Sequence, residues 1–390
     1  MKVLFLSHRK TLPSLPIYFV NLFFSMHYAA TIYVASSYLE NFFSTSIVSM
    51  FFILGAIGNI ILFLLCPYIL KRLGNRKFLF YLLALEIIAT VGIALGLSAL
   101  SVGLFFILRG SILMLIYYSL DIFLEEISDD KKTGGIRGSY LTVTNIAIAS
   151  APLLVAALAL GNEFTKLFWI SALVLVPALF VAMFSFHNKP VHKRHTLPHS
   201  LPFKSFWRSS NVRRVSLASW VLEMFFVFMV IYMPIYLHEI IGFEWSQIGV
   251  AFTIMLLPFV IFDWPIGKLA DNLFGEKEIM SIGFFIMGLT VLLMPFLENN
   301  IFIWTIILFM SRVGASFVET TTESYFFKHV DSRDTGFISL YRLTRPLAII
   351  IGAGLYATSI NVLGMLPSFF LVASIVFLGL RQSLYLKDTL

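Results

Sequence analysis

The sequence has one cysteine, Cys66, among 390 residues. That excludes an intrachain disulfide and a cysteine-based metal site. Charge is equally scarce. Asp, Glu, Lys and Arg make up 13% of the chain, against about 25% in a soluble domain. No phosphate-binding glycine–lysine loop and no HExxH spacing occurs, so direct ATP hydrolysis and zinc proteolysis are excluded. Apolar residues are abundant: 59% of the chain is hydrophobic, with a mean hydropathy of +0.89. This composition excludes a soluble enzyme, a disordered chain and a fibre. A net charge of +7 does not point to nucleic acid, because cytoplasmic loops of membrane proteins collect Lys and Arg.

A membrane-crossing helix needs about 20 mostly apolar residues. Twelve such stretches can be cut, at 14–36, 46–69, 77–98, 101–122, 137–160, 165–186, 215–237, 247–267, 278–297, 300–325, 336–358 and 362–382. Alternating ten-residue segments, the mark of a β-barrel, are missing. The fold class is therefore an all-α membrane protein. With the N-terminus inside, the basic clusters all fall on one face: Arg9 and Lys10; Lys71, Arg72, Arg76 and Lys77; Lys131, Lys132 and Arg137; the run from Lys189 to Arg214; Lys268 and Lys277; Lys328 and Arg333; Arg381 and Lys387. Only Lys166 lies near an outer loop, and Arg109, Arg312, Arg342 and Arg345 fall inside spans. This bias predicts both termini in the cytoplasm and residence in the cell membrane. The basic start of the chain is not read as a signal peptide, since its apolar run is too long and lacks a small-residue cleavage site.

The stretch 188–214 is polar and basic, with histidines at and beside it (His187, His192, His195, His199) but no carboxylate or cysteine support for a metal. It reads as a cytoplasmic linker between two six-span units, 1–187 and 215–390. The units look alike. Thr133-Gly134 follows span four and Thr335-Gly336 follows span ten, an offset of 202 residues. The same offset sets Asp121 opposite Glu323 and Asn21 opposite Glu223. Parallel repeats of this kind occur in transporters.

The loop after span eight reads Gly267-Lys268-Leu269-Ala270-Asp271-Asn272-Leu273-Phe274-Gly275-Glu276-Lys277. It resembles the loop signature G-x-L-a-D-R-x-G-R-K of the major facilitator superfamily, with one residue added before the second glycine. The loop after span two, Pro67 to Lys77, carries a weaker copy in which Lys71 stands where the family has aspartate, followed by Arg72 and Gly74. The resemblance covers the whole chain and implies a twelve-span carrier in two six-helix pseudo-repeats. Spans one, four, seven and ten would line a central cavity, and Asp271 would latch the halves when the cytoplasmic side closes. Ala147-Ile148-Ala149-Ser150-Ala151-Pro152 in span five keeps the small-xxx-small-Pro skeleton of drug:proton antiporters, although close helix packing explains it as well. By the pseudo-symmetry Asp271 should lie near Gly134 to Gly138, with Arg137 as a partner, and the Lys71 loop should lie near the start of span eleven.

Ionisable groups inside spans are disfavoured unless they serve a function. In span ten Arg312, Ser316, Glu319 and Glu323 share one face. Span seven has Glu223, span four has Arg109 and Asp121, and span one has Asn21 and His27. Arg109 and Asp121 stand about 120° apart around their helix and should not pair. Glu86 is expected to be an interhelical group, and Asp263 a partner of Arg342 or Arg345. Burial disfavours the ionised form of a carboxyl, so Glu319 and Glu323 are the candidates for carrying a proton, with Arg312 modulating Glu319. The expectation is a proton-coupled secondary carrier of a small molecule, with a lean toward export, working as a monomer in the bilayer without a cofactor. The alternatives are an uncoupled uniporter and a non-transporting receptor or scaffold of the same fold. An enzyme is not expected, because His27, the one histidine well inside a span, has no nucleophile partner in sequence.

Overall fold

The computed structural model describes residues 15–32, 35–43, 45–128, 132–158, 164–186, 201–331 and 334–387, and these are helical with no strand among them. The N-terminal set comprises α1 (Leu15–Ile32), the short α2 (Ala35–Glu40), α3 (Thr45–Leu73), α4 (Asn75–Leu95), α5 (Ala99–Ile127), α6 (Thr133–Leu158) and α7 (Phe164–Phe184). After α8 (Phe203–Arg208), the C-terminal set begins with α9 (Ser210–Val227), which runs on through π-helical turns flanking α10 (Met233–Ile235). It continues with α11 (Trp245–Leu269), α12 (Gly275–Leu293), α13 (Ile301–Lys328), α14 (Thr335–Arg342), α15 (Thr344–Leu363) and α16 (Met365–Leu384). Among the described residues, nine helical stretches are long and apolar enough to cross a membrane. Leu173, Val250, Phe180 and Ile88 stand exposed on their outer faces, as lipid-facing side chains do. This is a multi-pass membrane protein.

Small residues set the helix spacing. α3 and α5 cross at Gly55 and Gly110, where a Cβ on either would sit 3.2 Å from the other's Cα. α12 and α13 cross at Gly283 and Gly314. The tightest seam joins α6 of the N-terminal set to α11 of the C-terminal set. A side chain on Gly134 or Gly267 would collide with the backbone carbonyl of the other, and one on Gly138 with the Asp263 carbonyl.

Several boundaries differ from those read off the sequence. α6 starts at Thr133 rather than 137, so Arg137 is a fully buried helical residue and not a loop cation. Span eleven is two helices, α14 and α15, parted at Leu343. The loop signature stays helical longer than expected: α11 passes into a π-helical turn over Ala270–Phe274, and the chain reverses only at Gly275, φ 73°. A π turn takes up one residue more than an α turn, which accommodates the residue inserted before that glycine. Gly74, φ 74°, makes the equivalent reversal after α3; only glycine adopts such a conformation freely. Of the polar linker, 187–200 lie outside the described residues, as do Asp130, Lys131 and Arg333. Its last part is packed rather than solvated: Phe206 meets Phe337 with ring centroids 5.6 Å apart, and Pro202 abuts Gly336.

Gly314→Val should lower thermal stability in detergent by about 1–3 kcal/mol, because the Gly283 carbonyl and Met287 already fill the space a side chain would need. Gly354→Val, which faces open space, should leave the unfolding midpoint nearly unchanged. Equal midpoints for the two variants would refute the close crossing of α12 and α13.

Candidate functional site

The hydrogen bonds and ion pairs described below that join the two sets lie toward one end of the bundle, that of Lys71, Arg72 and Asp271. Asp271 Oδ1 accepts the Gly134 N–H at 3.0 Å, and Oδ2 accepts the Gly135 N–H at 2.7 Å. These are free donors of the first turn of α6, so the carboxylate caps a helix of the other set across the seam. Its ionic partner is Lys328, at 3.1 Å, which also holds Glu276 at 2.5 Å. The expected Arg137 partnership is therefore replaced: Arg137 turns inward, and Lys328 from α13 supplies the cation. Lys71 and Arg72 are exposed in the last turn of α3. The start of α14 does lie beside α3, where the Ser339 hydroxyl donates to the Phe63 carbonyl.

One layer deeper is a buried charge cluster. Asp121 of α5 receives Arg137 Nη1 at 2.8 Å and Arg342 Nε at 2.7 Å. Arg342 reaches Glu323 of α13 with both terminal nitrogens, at 2.6 and 2.8 Å. Arg137 approaches Glu323 at 3.9 Å and Glu125 at 3.5 Å, and its guanidinium lies 3.3 Å over the Phe327 ring. Each set thus contributes one acid and one arginine, bound to each other and to the pair opposite. Glu323 is consumed here, in a bidentate contact of the strong kind.

Asp263, about 12 Å along α11 from Asp271 at helical rise, closes a third contact. It accepts Ser316 and Thr320 of α13 at 2.5 and 3.2 Å and Asn145 of α6 at 2.8 Å. The expected pairing with Arg342 or Arg345 does not form, because those arginines are taken by Asp121, Glu323 and Glu223.

Beyond Asp263, Arg345 and Glu223 are the next ionisable pair, with side chains 44% and 21% exposed. Arg345 has Tyr28 of α1, Tyr117 of α5, Glu223 of α9 and Glu319 of α13 in electrostatic reach. Its Nε stands 3.8 Å from Glu223, beyond hydrogen-bond range. Glu319 is half-buried, with Asp263, Glu223, Glu323 and Arg345 in electrostatic reach. Arg312 instead lies over Phe225 and Phe226, 5.1 and 5.6 Å from their centroids. Arg345 is therefore the cation in whose field Glu319 sits.

The remaining candidates are elsewhere. Asn21 donates to the Tyr140 carbonyl and to Thr144 of α6. His27 and Arg109 meet at Glu86, inside the N-terminal set. Arg109 and Asp121 are unpaired with each other, as their angular separation requires. In the span-five skeleton Ala147 is buried; the side chains of Ala151 and Pro152 lie outside the described residues. No group of metal-ligating side chains occurs among the described residues.

The profile of the Major Facilitator Superfamily matches residues 116–353 and 246–387. The chain belongs to the Major Facilitator Superfamily. Solved structures carry the same fold over nearly the whole length. The Escherichia coli fucose:proton symporter FucP (N162A) superposes with a TM-score of 0.81 at 12% identity, covering 95% of this chain and 98% of its own. The human organic anion transporter MFSD10 (TETRAN) gives 0.79 at 14% identity, covering 95% and 98%. A bacterial homologue of the iron transporter ferroportin, in an outward-facing state, gives 0.76 at 13%, covering 95% and 97%. No curated protein sequence matches the chain. As a major facilitator this protein is a membrane transporter, not an enzyme.

Arg342 holds two acids at once, so Arg342→Gln should destabilise the protein more than Glu323→Gln, by about 3–5 kcal/mol, the scale of a broken buried pair. The double variant should fall short of the sum by about 0.5–3 kcal/mol. Denaturation of the four proteins gives the coupling energy, and strict additivity would show that the pair is idle.

Proposed function

We propose that this major facilitator is a proton-coupled secondary transporter of a small molecule. In this reading two six-helix bundles, 1–187 and 215–390, rock against each other, both termini lie in the cytoplasm, and the Asp271 seam is the cytoplasmic gate. The observation that carries the reading is the contrast between Glu323 and Glu319. Glu323 is saturated by Arg342, whereas Glu319 is half-buried with Glu223 and Arg345 in electrostatic reach. A half-buried carboxyl near other acids and one arginine is placed to exchange a proton when its distance from that cation changes. The fucose:proton symporter shares the fold, which supports the choice of ion by analogy alone. In this reading Tyr28, Tyr117, Glu223, Glu319 and Arg345 recognise a small molecule by both aromatic and ionic contacts.

The test is flux in proteoliposomes over a panel of organic anions, organic cations and sugars, with and without an imposed pH gradient. Glu319→Gln should abolish gradient-driven accumulation while leaving counterflow exchange of the same compound within about threefold, since amide and acid differ little in shape. A Glu319→Gln protein that still follows the pH gradient as the parent does would rule out Glu319 as the coupling group. Flux indifferent to pH in the parent would leave a uniporter.

A further inference from the structure

Away from Glu319 and Arg345, four helices of the N-terminal set meet around a second ionisable cluster. His27 of α1, Glu86 of α4 and Ser171 of α7 are fully buried, and Arg109 of α5 is 5% exposed. His27 Nε2 lies 2.8 Å from Glu86 Oε1, and Arg109 Nε lies 2.9 Å from the same oxygen. Glu86 Oε2 has no hydrogen-bond partner among the described residues. Arg109 also donates through Nη2 to Thr31 Oγ1, one turn beyond His27 on α1. On the far side of the ring, Nδ1 is 2.6 Å from Ser171 Oγ and 3.1 Å from the Ser171 carbonyl. The same hydroxyl is 3.1 Å from the His27 carbonyl. Phe24 stacks beside the ring. The hydrogen bonds from α6 to α1 reach Tyr18 and Asn21 instead, well before His27. Glu86 and Arg109 are therefore the charged groups that face the imidazole.

This arrangement fits both charge states of the ring without moving a heavy atom. In the neutral ring Nε2–H donates to Glu86, and Nδ1 accepts the Ser171 hydroxyl proton. In the imidazolium Nδ1–H donates to Ser171, and the hydroxyl turns to the His27 carbonyl. A single hydroxyl rotation satisfies either form. The charge balance is different. With the ring neutral, Glu86 and Arg109 cancel. With the ring protonated, one positive charge is left over in a dry site, which is strongly disfavoured. Arg109 is the group that can relieve it, being the least enclosed of the charged three and already bonded to Thr31.

We propose that His27 is a proton-binding site inside the N-terminal helices, where the proton competes with Arg109 for Glu86. Loading the proton weakens the α4–α5 ion pair, and separating that pair favours loading. The site shares no residue with the Glu319 group, so it stands or falls separately from coupling there.

Solid-state NMR of the full chain in lipid bilayers, labelled with 15N-histidine, reads the ring directly. Replacing the other seven of the eight histidines with glutamine leaves His27 alone. If that chain does not assemble, the difference between parent and His27→Asn spectra isolates the same signals. The ring should show both the neutral Nε2–H tautomer and the imidazolium as the sample is acidified. Arg109→Gln should raise the imidazolium-to-neutral ratio at a fixed pH by about tenfold, and Glu86→Gln should lower it, because each removes one neighbouring charge of opposite effect. A ring locked in one charge state as the sample is acidified would overturn the proposal. So would a transition that Arg109→Gln leaves in place or moves the other way, as a merely structural histidine would show.

Discussion

An ionised side chain inside a bilayer has to be matched where it lies, at a cost of about 2.5–3.5 kcal/mol on insertion scales if it is not. The cluster of Asp121, Arg137, Glu323 and Arg342 meets this condition with two acids and two arginines, three of the links at 2.6–2.8 Å. Its position decides much else. It ties α5 and α6 to α13 and α14, so the two helix sets are joined at this depth as well as at Asp271 and Asp263. It occupies Glu323 and Asp121, which leaves Glu319, Glu223 and Arg345 outside the cluster. It also breaks span eleven: α14 ends at Arg342, and α15 begins at Thr344 with Arg345 one residue on. Neighbouring arginines can then serve two different places.

Asp271 depends on backbone more than on charge. Its oxygens reach two N–H groups of α6 because neither Gly134 nor Gly267 has a side chain to hold the helices apart. The carboxylate replaces water at a helix start that would otherwise lie buried and unsatisfied. Two turns along the same face of α11, Asp263 repeats the arrangement with side-chain donors, Asn145 across the seam and Ser316 and Thr320 within its own set.

Much of this was legible in the sequence, and the limits have physical reasons. Hydropathy and the placement of Lys and Arg marked the helices, and the signature at Gly267–Lys277 pointed Asp271 to Gly134. Periodicity placed Arg312, Glu319 and Glu323 on one face of α13, and that face does turn inward. It could not assign their partners, since α9, α14 and α15 bring theirs from far along the chain. Arg137 was misread as a loop cation because glycines at 134, 135 and 138 look like a turn, whereas close packing against α11 makes them helical. The pairing of His27 with Glu86 joins residues 59 apart in sequence, and no local pattern announces it.

The buried cluster also shows how such a seam can hold firmly and still part. Asp121–Arg137 lies within the N-terminal set, and Glu323–Arg342 lies within the C-terminal set. The links across the seam are Asp121–Arg342 at 2.7 Å and the looser Arg137–Glu323 at 3.9 Å. Drawing the sets apart breaks only the cross links, and each set leaves with an acid and an arginine still bound. Neither side is left with an unpaired buried charge, the outcome that makes breaking an ordinary buried pair so unfavourable. Asp271 and Asp263 behave similarly, because Lys328 remains with the first and Ser316 and Thr320 with the second. What is lost at the seam is two backbone N–H bonds, one amide bond, two hydroxyl bonds (Ser339 to the Phe63 carbonyl and Tyr118 to the Thr335 carbonyl) and one strong ion-pair link. Groups held this way favour the closed seam without making its opening prohibitive, and a helix bundle that alternates between two closures requires that balance.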